Sequence, residues 1–419
     1  MQNTNAIVSW LSILFIFLTG SCNNKKDAYP LNVIPVESTV GTYNILNLSD
    51  FATEIKYVPL ETNDSVLISP RILQVIHENE KTLILDVRSS LKKNCYLFDN
   101  EGKFCRKIGQ WGQGPDDYIQ IDNVFMLDNF IFLMARHKLL IYDTSGNLIE
   151  NINLQSDELP VEFRQSDLRR IIPLKKDTFV VNVVTSKIPY PTAFLFETNK
   201  TAVKSIKEYP SSIKLDKLRG VFNTMELGCM YRFKDDVRIY KAINDTIFTI
   251  GQNMEINGTF VIELGKYRSA LSSFEGKEIG KDKWENFILI FRILESLNHL
   301  YIDFYFGNHA PYPFEKIDPV NGPYTCANVY GVFDKFTGEL TLMRHPQKGE
   351  IGFNNDIDNG PVIFPHYISS NNELVTYITA EEFLDYYDKT EKPTPQMTKI
   401  AKNLNYDDNQ IVIIAKLKE

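Results

Sequence analysis

The sequence predicts an all-β fold, a β-propeller built from four-stranded antiparallel blades. From residue 55 onward, short runs of β-branched and aromatic residues alternate with turn residues, a pattern typical of short strands. A strand–turn–strand unit recurs at the spacing of one blade. Strand-like segments also lie near both ends, at residues 54–60 and 410–417.

The recurring unit is clearest at residues 95–108 and 139–152, which align without a gap at an offset of 44 residues. Each copy carries an aromatic-Asp-x-x-Gly core, with the aspartate at Asp99 and at Asp143. Such an aspartate accepts hydrogen bonds from backbone amides, and the glycine takes the left-handed conformation of a type I turn with a bulge. The repeat therefore predicts hairpins at the period of a propeller blade.

Weaker hairpin copies lie at residues 194–206 and 332–340, and residues 244–250 resemble a degenerate strand pair. Dividing the roughly 370 residues after residue 40 by a blade period gives about six to eight blades. An open propeller would leave unpaired strand edges. We therefore expect residues 54–60 and 410–417 to share the last blade and close the ring.

Two segments depart from the strand pattern. Residues 282–298 carry apolar residues both at helical spacing and in a run, so they fit an inserted helix or a blade strand. We expect a helix before Phe291. Residues 380–387 are a second helical candidate, in a loop late in the fold.

The first 21 residues contain no Lys, Arg, Asp or Glu, and residues 6–17 are an almost unbroken apolar run. This stretch is too short to span a bilayer and predicts a secretory signal peptide over residues 1–21. The residues that end at Cys22 resemble the lipobox of bacterial lipoproteins, which implies lipidation of the Cys22 thiol. The alternative is an ordinary thiol after a conventional signal peptide. Residues 22–40 are interpreted as the lipidated cysteine and a flexible tether, and residues 41–419 as the propeller.

The net charge of −8 and the pI near 5.5 argue against a nucleic-acid partner, which normally requires a clustered basic surface. The other four cysteines have no zinc-site spacing. We expect them to be small buried hydrophobic residues rather than disulfide partners; they are Cys95, Cys105, Cys229 and Cys326.

Several stretches are similar to the six-bladed, NHL-like β-propeller lipoproteins of Gram-negative gut anaerobes. They span nearly the whole chain after the signal segment, at residues 54–61, 107–118, 356–361, 372–375 and 412–417. The resemblance implies six blades and an exported, lipidated protein. It implies no established reaction, so no catalytic residue is carried over.

The glycine-rich loop at residues 109–118 is the first candidate binding site. Its glycines permit close backbone approach, and the indole of Trp111 offers a flat face on which a sugar could stack. The alternative is a connector from the outer strand of one blade to the inner strand of the next. The candidate residues are Trp111, Gly112, Gln113, Gly114, Pro115 and Tyr118.

The second candidate is an oxygen-rich loop in which Asp356 and Asp358 could face one cation, since Ca²⁺ takes six to eight oxygen ligands. The alternative is a turn stabilised by Asx hydrogen bonds. The glycine and the twelfth position of this loop do not fit an EF-hand. No cofactor is predicted.

The sequence offers no catalytic signature, because its six histidines lack metal-ligand spacing and no Gly-x-Ser-x-Gly elbow is present. We therefore expect a non-enzymatic, monomeric scaffold that binds a glycan, a peptide or an envelope protein. The alternative is a propeller hydrolase or lyase with a metal in the central channel. We expect export and lipid anchoring, with the outer membrane and its periplasmic side favoured.

Overall fold

Short antiparallel strands joined by tight turns build most of the chain. The computed structural model describes residues 32–89, 92–164, 167–184, 191–199, 201–210, 228–241, 244–268, 285–318 and 322–419. The strands are rich in β-branched and aromatic residues, and consecutive strands along the chain pair as hairpins. They form six sheets of four or five strands, arranged as the blades of a propeller.

The described part opens with a segment that adds one parallel edge strand to each of blades 4 and 5. Its elements are β1 (Asn32–Ile34), α1 (Val36–Thr39), β2 (Tyr43–Asn44) and α2 (Leu48–Phe51). It leads into β3 (Ala52–Pro59), the outer strand of blade 6.

Blades 1 to 3 each contain four consecutive strands. Blade 1 consists of β4 (Ile72–Glu78), β5 (Lys81–Val87), β6 (Lys93–Asp99) and β7 (Phe104–Ile108). Blade 2 consists of β8 (Asn123–Leu127), β9 (Phe130–Ala135), β10 (Lys138–Asp143) and β11 (Leu148–Asn153). After α3 (Val161–Arg164), blade 3 consists of β12 (Asp167–Lys175), β13 (Thr178–Val184), β14 (Pro191–Asn199) and β15 (Ala202–Pro210).

Blades 4 and 5 follow the same order with additions. Blade 4 consists of β16 (Gly228–Phe233), β17 (Asp236–Lys241), β18 (Asn244–Ile250) and β19 (Ile256–Ile262), followed by a 3-10 turn (Gly265–Tyr267). In blade 5, β20 (Leu289–Glu295), β21 (His299–Tyr305) and a 3-10 turn (Gly307–His309) precede an inserted hairpin of β22 (Phe314–Asp318) and β23 (Gly322–Cys326). The blade ends with β24 (Asn328–Asp334) and β25 (Leu340–Met343).

Blade 6 is assembled from both ends of the chain. It contains β26 (Tyr367–Ile368), β27 (Glu373–Ile378), α4 (Ala380–Lys389), α5 (Pro395–Ala401) and β28 (Ile411–Leu417). Strand β28 pairs with β27 on one side and with β3 on the other, where Ile413 lies opposite Tyr57. The predicted ring closure is therefore confirmed, and so is the count of six blades.

The innermost strands contact one another around the ring in the order β4, β8, β12, β16, β20 and β26. Aromatic residues fill the space between neighbouring blades. The Phe179 ring, for example, lies 5.5 Å from Phe132 of blade 2 and 5.3 Å from Phe196 of its own blade. The core thus lies between blades, and each blade depends on its neighbours for burial.

The predicted tether is too long, because residues 32–40 belong to the folded body. Strand β1 pairs in parallel with β19 of blade 4, and β2 pairs in parallel with β25 of blade 5. Ile34 and Val36 are fully buried. Residues 23–40 are mostly polar and contain prolines, and this composition led to the prediction of a tether despite the two apolar side chains that anchor the segment.

The expected helix before Phe291 is wrong within the described residues, and residues 282–284 lie outside them. Residues 289–295 form β20, the inner strand of blade 5. An inner strand is buried against two neighbouring blades, and its continuous apolar run mimics helical spacing.

The second helical candidate is confirmed as α4, whose N-terminus is fixed by a capping box. The Thr379 hydroxyl accepts a hydrogen bond from the amide of Glu382, and the Glu382 carboxylate accepts one from the amide of Thr379. Among the described residues, no helix is long and apolar enough to span a membrane.

The Asp-x-x-Gly turns have the predicted conformation. The Asp99 carboxylate accepts hydrogen bonds from the amides of Glu101 and Lys103, each at 2.9 Å. Gly102 and Gly146 have φ of +82° and +80°, and a bulge follows in both hairpins. Of the four cysteines, three are buried as expected, but the Cys105 thiol is exposed; all four are free.

Replacing Gly102 by Ala is expected to destabilise the protein more than replacing Gly338 by Ala. Both glycines have positive φ, +82° and +76°, so alanine is strained by about 1–2 kcal/mol at either position. At Gly102 a Cβ atom would also lie 2.1 Å from the carbonyl oxygen of Pro59, whereas Gly338 faces open space. Urea unfolding should show a clearly larger loss for Gly102→Ala, and equal losses would contradict the contact between blades 1 and 6.

Candidate functional site

The glycine-rich loop lies where the connector interpretation places it, between the outer strand β7 and the inner strand β8. It is closed by its own hydrogen bonds, from the amide of Gly112 to the carbonyl of Tyr118 (3.1 Å) and from the amide of Tyr118 to the carbonyl of Gln110 (2.9 Å). The Tyr118 ring is buried in the core of blades 1 and 2.

The rest of the loop is held in the same way. The amide of Gly114 donates to the Asp117 carboxylate at 2.8 Å, and the carbonyl of Pro115 accepts a hydrogen bond from Lys138. The side chain of Trp111 is 46% exposed, and its indole N–H donates to the carbonyl of Ile119 at 3.0 Å. These contacts account for the loop as a connector, and ligand binding by Trp111 stays a prediction.

The carboxylates of Asp356 and Asp358 do not converge. Asp356 accepts hydrogen bonds from the amide of Ser49 at 2.9 Å and from its hydroxyl at 2.5 Å. Asp358 accepts from the Tyr57 hydroxyl at 3.2 Å and from the amide of Gly360 at 3.0 Å. The two carboxylates therefore attach this loop to α2 and β3. Within the described ranges, no group of three or more His, Cys, Asp or Glu side chains could hold a metal ion.

The inner strands enclose a channel with a cavity at each end. We call one end the turn mouth, because there the inner strands end in tight turns; its cavity is about 540 Å³ and includes Asn79, Asp128, Lys176, Lys234, Leu297 and Ser370. We call the other the connector mouth, because there the inner strands begin after the connectors; its cavity is about 420 Å³ and includes Gln74, Asp122, Arg170, Cys229, Arg292 and His366.

Two charged side chains of the turn mouth, Glu78 and Arg232, are occupied by contacts within the protein. The Glu78 carboxylate accepts hydrogen bonds from the Tyr367 hydroxyl at 2.6 Å and from the amide of Ser370 at 2.9 Å. The Arg232 guanidinium donates to the carbonyls of Pro173 and Leu174 at 2.7 and 3.1 Å. These bonds join the inner strands of neighbouring blades.

A buried ionic cluster lies beside the turn mouth, where blades 4 and 5 meet. The Glu295 side chain is 1% exposed and accepts hydrogen bonds from Arg238 at 3.0 Å and from Lys335 at 3.1 Å. Both cations also lie over the Phe233 ring, at 5.3 and 4.2 Å from its centroid. The cluster satisfies itself, so we assign it a structural role.

The connector mouth contains two arginines with unused donors. Arg170, on the inner strand of blade 3, has no hydrogen bond or ion pair within the part of the chain that the structure describes. Arg292, on the inner strand of blade 5, lies 3.8 Å from the Asp303 carboxylate, which is too far for a hydrogen bond. A guanidinium carries five N–H donors, so both side chains can still bind an acceptor.

Two further cations border this mouth. Lys93, at the start of β6, donates to the carbonyl of Ile121 at 2.6 Å. Lys316, on the inserted hairpin, lies outside the cavity lining, but its charge contributes to the lowered pKa of His366. The mouth therefore gathers positive charge from blades 1, 3 and 5.

Polar side chains fix the inner strands that carry these cations. The Gln74 side chain of blade 1 accepts a hydrogen bond from the amide of Val124 in blade 2 at 2.9 Å. The Asn123 side chain of blade 2 accepts one from the amide of Ile171 in blade 3 at 3.1 Å. These cross-links set the relative positions of three inner strands and therefore of Arg170.

His366 lines the channel, and its side chain remains open to the channel space. Its position deep in the ring, together with the positive charges of Arg292 and Lys316, lowers its pKa. Its Nδ1 atom lies 2.7 Å from the Thr376 hydroxyl, and its ring lies 4.9 Å from the Tyr377 ring. His366 is therefore a neutral hydrogen-bonding group at physiological pH.

The imidazole of His366 is expected to titrate below the usual midpoint near 6.5, because its place in the channel and the charges of Arg292 and Lys316 oppose its protonation. Because the unfolded chain binds this proton at higher pH than the folded one, His366 lowers stability as the pH falls below about 6.5. An NMR titration of ¹³C-labelled histidine rings, assigned with His366→Gln, should place the midpoint of this ring below about 6.5. A midpoint at or above about 6.5 would contradict the cationic surroundings described here.

Sequence reasoning missed the connector mouth. Arg292 interrupts the apolar run of residues 287–294, whereas Arg170 follows Arg169 and only borders the apolar residues 171–172. A charged residue inside an inner-strand run was therefore a signal for Arg292 alone. It could not be used because the blade boundaries around both residues were not predicted.

The family described as a domain of unknown function (DUF4934) matches residues 31–416. The structure of BF0058 from Bacteroides fragilis, whose name describes it as an exported protein, aligns with a TM-score of 0.66 at 18% identity, over 93% of this chain and 100% of that one. A DUF4221 family member from Bacteroides vulgatus aligns with a TM-score of 0.47 at 13% identity, over 91% of this chain and 99% of its own.

A protein of unknown function from Bacteroides thetaiotaomicron aligns with a TM-score of 0.43 at 7% identity, over 86% of this chain and 76% of its own. No curated protein matches the chain. The similarity to BF0058 supports the propeller fold, and at this identity it supports the fold alone.

Proposed function

We propose that this chain, which belongs to the DUF4934 family of domains of unknown function, is an exported scaffold that binds a ligand in the connector mouth. The observation that carries the proposal is the pair of arginines whose guanidinium groups make no hydrogen bond within the described ranges. They line a cavity of about 420 Å³, within the size range of small-molecule sites.

The walls of this cavity offer both apolar surface and hydrogen-bonding groups to a ligand. Phe125, Ile172 and Ile293 provide apolar surface, while Gln120 and His366 provide hydrogen-bonding groups. Polar groups set among apolar ones fix the orientation of a bound molecule. The inner strands that carry these residues are rigid elements, which favours a preformed site.

Binding rather than catalysis is the function that this arrangement supports. The hydrolase or lyase alternative requires a metal in the channel, and no ligand cluster for one is found among the described residues. The channel histidine is held neutral and is hydrogen-bonded to Thr376.

A ligand screen with matched variants tests the binding site. Purified chain would be screened against glycans, peptides and envelope proteins, and each hit would be repeated with Arg170→Ala and with Trp111→Ala. We expect binding to be lost in Arg170→Ala and unchanged in Trp111→Ala. The reverse result would move the site to the glycine-rich loop and contradict the proposal.

Export and anchoring form the second part of the proposal. The N-terminal residues support it, and BF0058 is described as exported. We place the protein as a monomer at the outer membrane, lipidated on Cys22 and facing the periplasm.

Metabolic labelling with radioactive palmitate in a Gram-negative host tests the anchor. The full chain and Cys105→Ala, which lacks the exposed thiol, should both incorporate label, whereas Cys22→Ala should not. Label retained in Cys22→Ala would exclude lipidation at this residue. Protease added to intact cells should leave the protein uncut. Digestion would show that the protein faces the outside of the cell and would contradict the proposed periplasmic orientation.

A further inference from the structure

We propose that the ligand of the connector mouth is a small organic anion, whose carboxylate, sulfate or phosphate group is bound between Arg170 and Arg292. This inference rests on the proposed function, because it names the ligand class of the same site. It is carried by the charge balance of the mouth, the unused donors of both arginines and their placement around one blade.

The charge balance of this mouth opposes that of the whole chain. The chain carries a net charge of −8, yet the lining of the connector mouth holds four cations, Lys93, Arg170, Arg232 and Arg292, against two carboxylates, Asp122 and Glu295. Arg232 and Glu295 bond other partners at the base of the cavity. A concave site with low-dielectric walls concentrates such a positive field and attracts anions.

The two arginines flank the same blade. Arg170 lies on β12 and Arg292 on β20, the inner strands on either side of β16 in blade 4. Both guanidinium groups act on the Cys229 thiol of β16, where they oppose the rise in its pKa that burial causes. The inner end of blade 4 therefore lies between two cations, and a bound anion could contact both.

Guanidinium geometry favours an oxyanion over a neutral acceptor. The planar fork of each arginine matches the paired oxygens of a carboxylate, sulfate or phosphate group. Asp303 does not supply this contact, since it lies 3.8 Å from Arg292 and accepts its hydrogen bond from Asn328 at 2.8 Å. Burial also raises the pKa of Asp303, which weakens it as a counter-ion.

His366 provides an independent sensor of the same field. Arg292 and Lys316 contribute to its depressed pKa, so an anion bound beside Arg292 should raise that pKa. By linkage, the anion should then bind more tightly once His366 is protonated.

Calorimetric titration of the full chain in a non-ionic detergent at low salt tests the inference. The probes are galacturonate, glucose 6-sulfate and glucose 6-phosphate, with glucose as the uncharged comparison, so the three anions separate the oxyanion types. We expect at least one anion to bind while glucose does not. Arg170→Gln and Arg292→Gln should each weaken binding about tenfold or more, since a hydrogen bond to a charged group contributes about 1.5–3 kcal/mol.

Lys175→Gln is the matched control, because it removes one positive charge from the opposite end of the same strand β12, at the turn mouth. Its affinity should stay within about twofold of the wild type, since an exposed charge at that distance is largely screened. Equal weakening by Lys175→Gln, or binding of none of the three anions, would overturn the inference. The ligand screen is separate: a neutral hit that is lost in Arg170→Ala would sustain the proposed function and reject the anion.

Discussion

Replacing Glu295 by Ala is expected to destabilise the protein by about 3–5 kcal/mol, because it leaves Lys335 without a counter-ion and Arg238 with only the partly exposed Asp236 at 3.8 Å. The side chains of Arg238 and Lys335 are only 9% and 16% exposed, and both donate to this carboxylate. Burial already lowers the pKa of Lys335, and Glu295 opposes that effect. Urea unfolding should show the loss as a lower midpoint.

An ion pair whose carboxylate is exposed provides the control for this prediction. Asp235 is 80% exposed and lies 3.3 Å from Arg232, so Asp235→Ala should cost no more than about 1 kcal/mol. A triple variant with Met at positions 238, 295 and 335 should recover much of the stability that Glu295→Ala loses, because apolar side chains carry no uncompensated charge. A small loss in Glu295→Ala would mean that water reaches the cluster.

Replacing Ile413 by Pro is expected to open the ring. Ile413 is fully buried in β28, opposite Thr376 of β27 on one side and Tyr57 of β3 on the other. Proline in a central strand removes a ladder hydrogen bond and cannot pack there without distortion. The expected loss is about 3 kcal/mol or more.

Hydrogen exchange monitored by mass spectrometry distinguishes ring opening from a local defect. In Ile413→Pro, residues 52–59 should exchange faster although they lie near the other end of the chain, while β9 and β10 of blade 2 should change least. Glu419→Pro, at the exposed terminus, should leave all three segments unchanged. Unaltered exchange of residues 52–59 in Ile413→Pro would contradict closure by the two termini.

The hairpins were predictable because contacts within a few residues determine their turns. The ring closure was predictable because every propeller must avoid open strand edges. Asp99 and Gly102 determine their turn through contacts within four residues. The pairing of β3 with β28 follows from the cost of open strand edges, which any propeller must avoid.

The N-terminal segment and β20 could not be predicted for a different reason. Strand β1 is stabilised by parallel pairing with β19, more than 200 residues away in the sequence. The apolar run of β20 includes both buried residues and the exposed Phe291, so its spacing carries no clear strand period. In both cases tertiary contacts decide the structure.

The candidate site was missed because no single segment contains it. Arg170 and Arg292 belong to blades 3 and 5, and only the ring brings both to the connector mouth. The two loops that sequence patterns favoured form internal bonds, such as the Asp356–Ser49 and Gly114–Asp117 contacts, and ligand binding by them stays a prediction.

The most direct test of the account is a crystal of the chain grown with sodium selenate, with data collected at the selenium absorption edge. Selenate is an oxyanion of the kind assigned to the connector mouth. The account predicts an anomalous peak between the guanidinium groups of Arg170 and Arg292. Peaks confined to the turn mouth or to surface lysines, with none beside these two arginines, would contradict it.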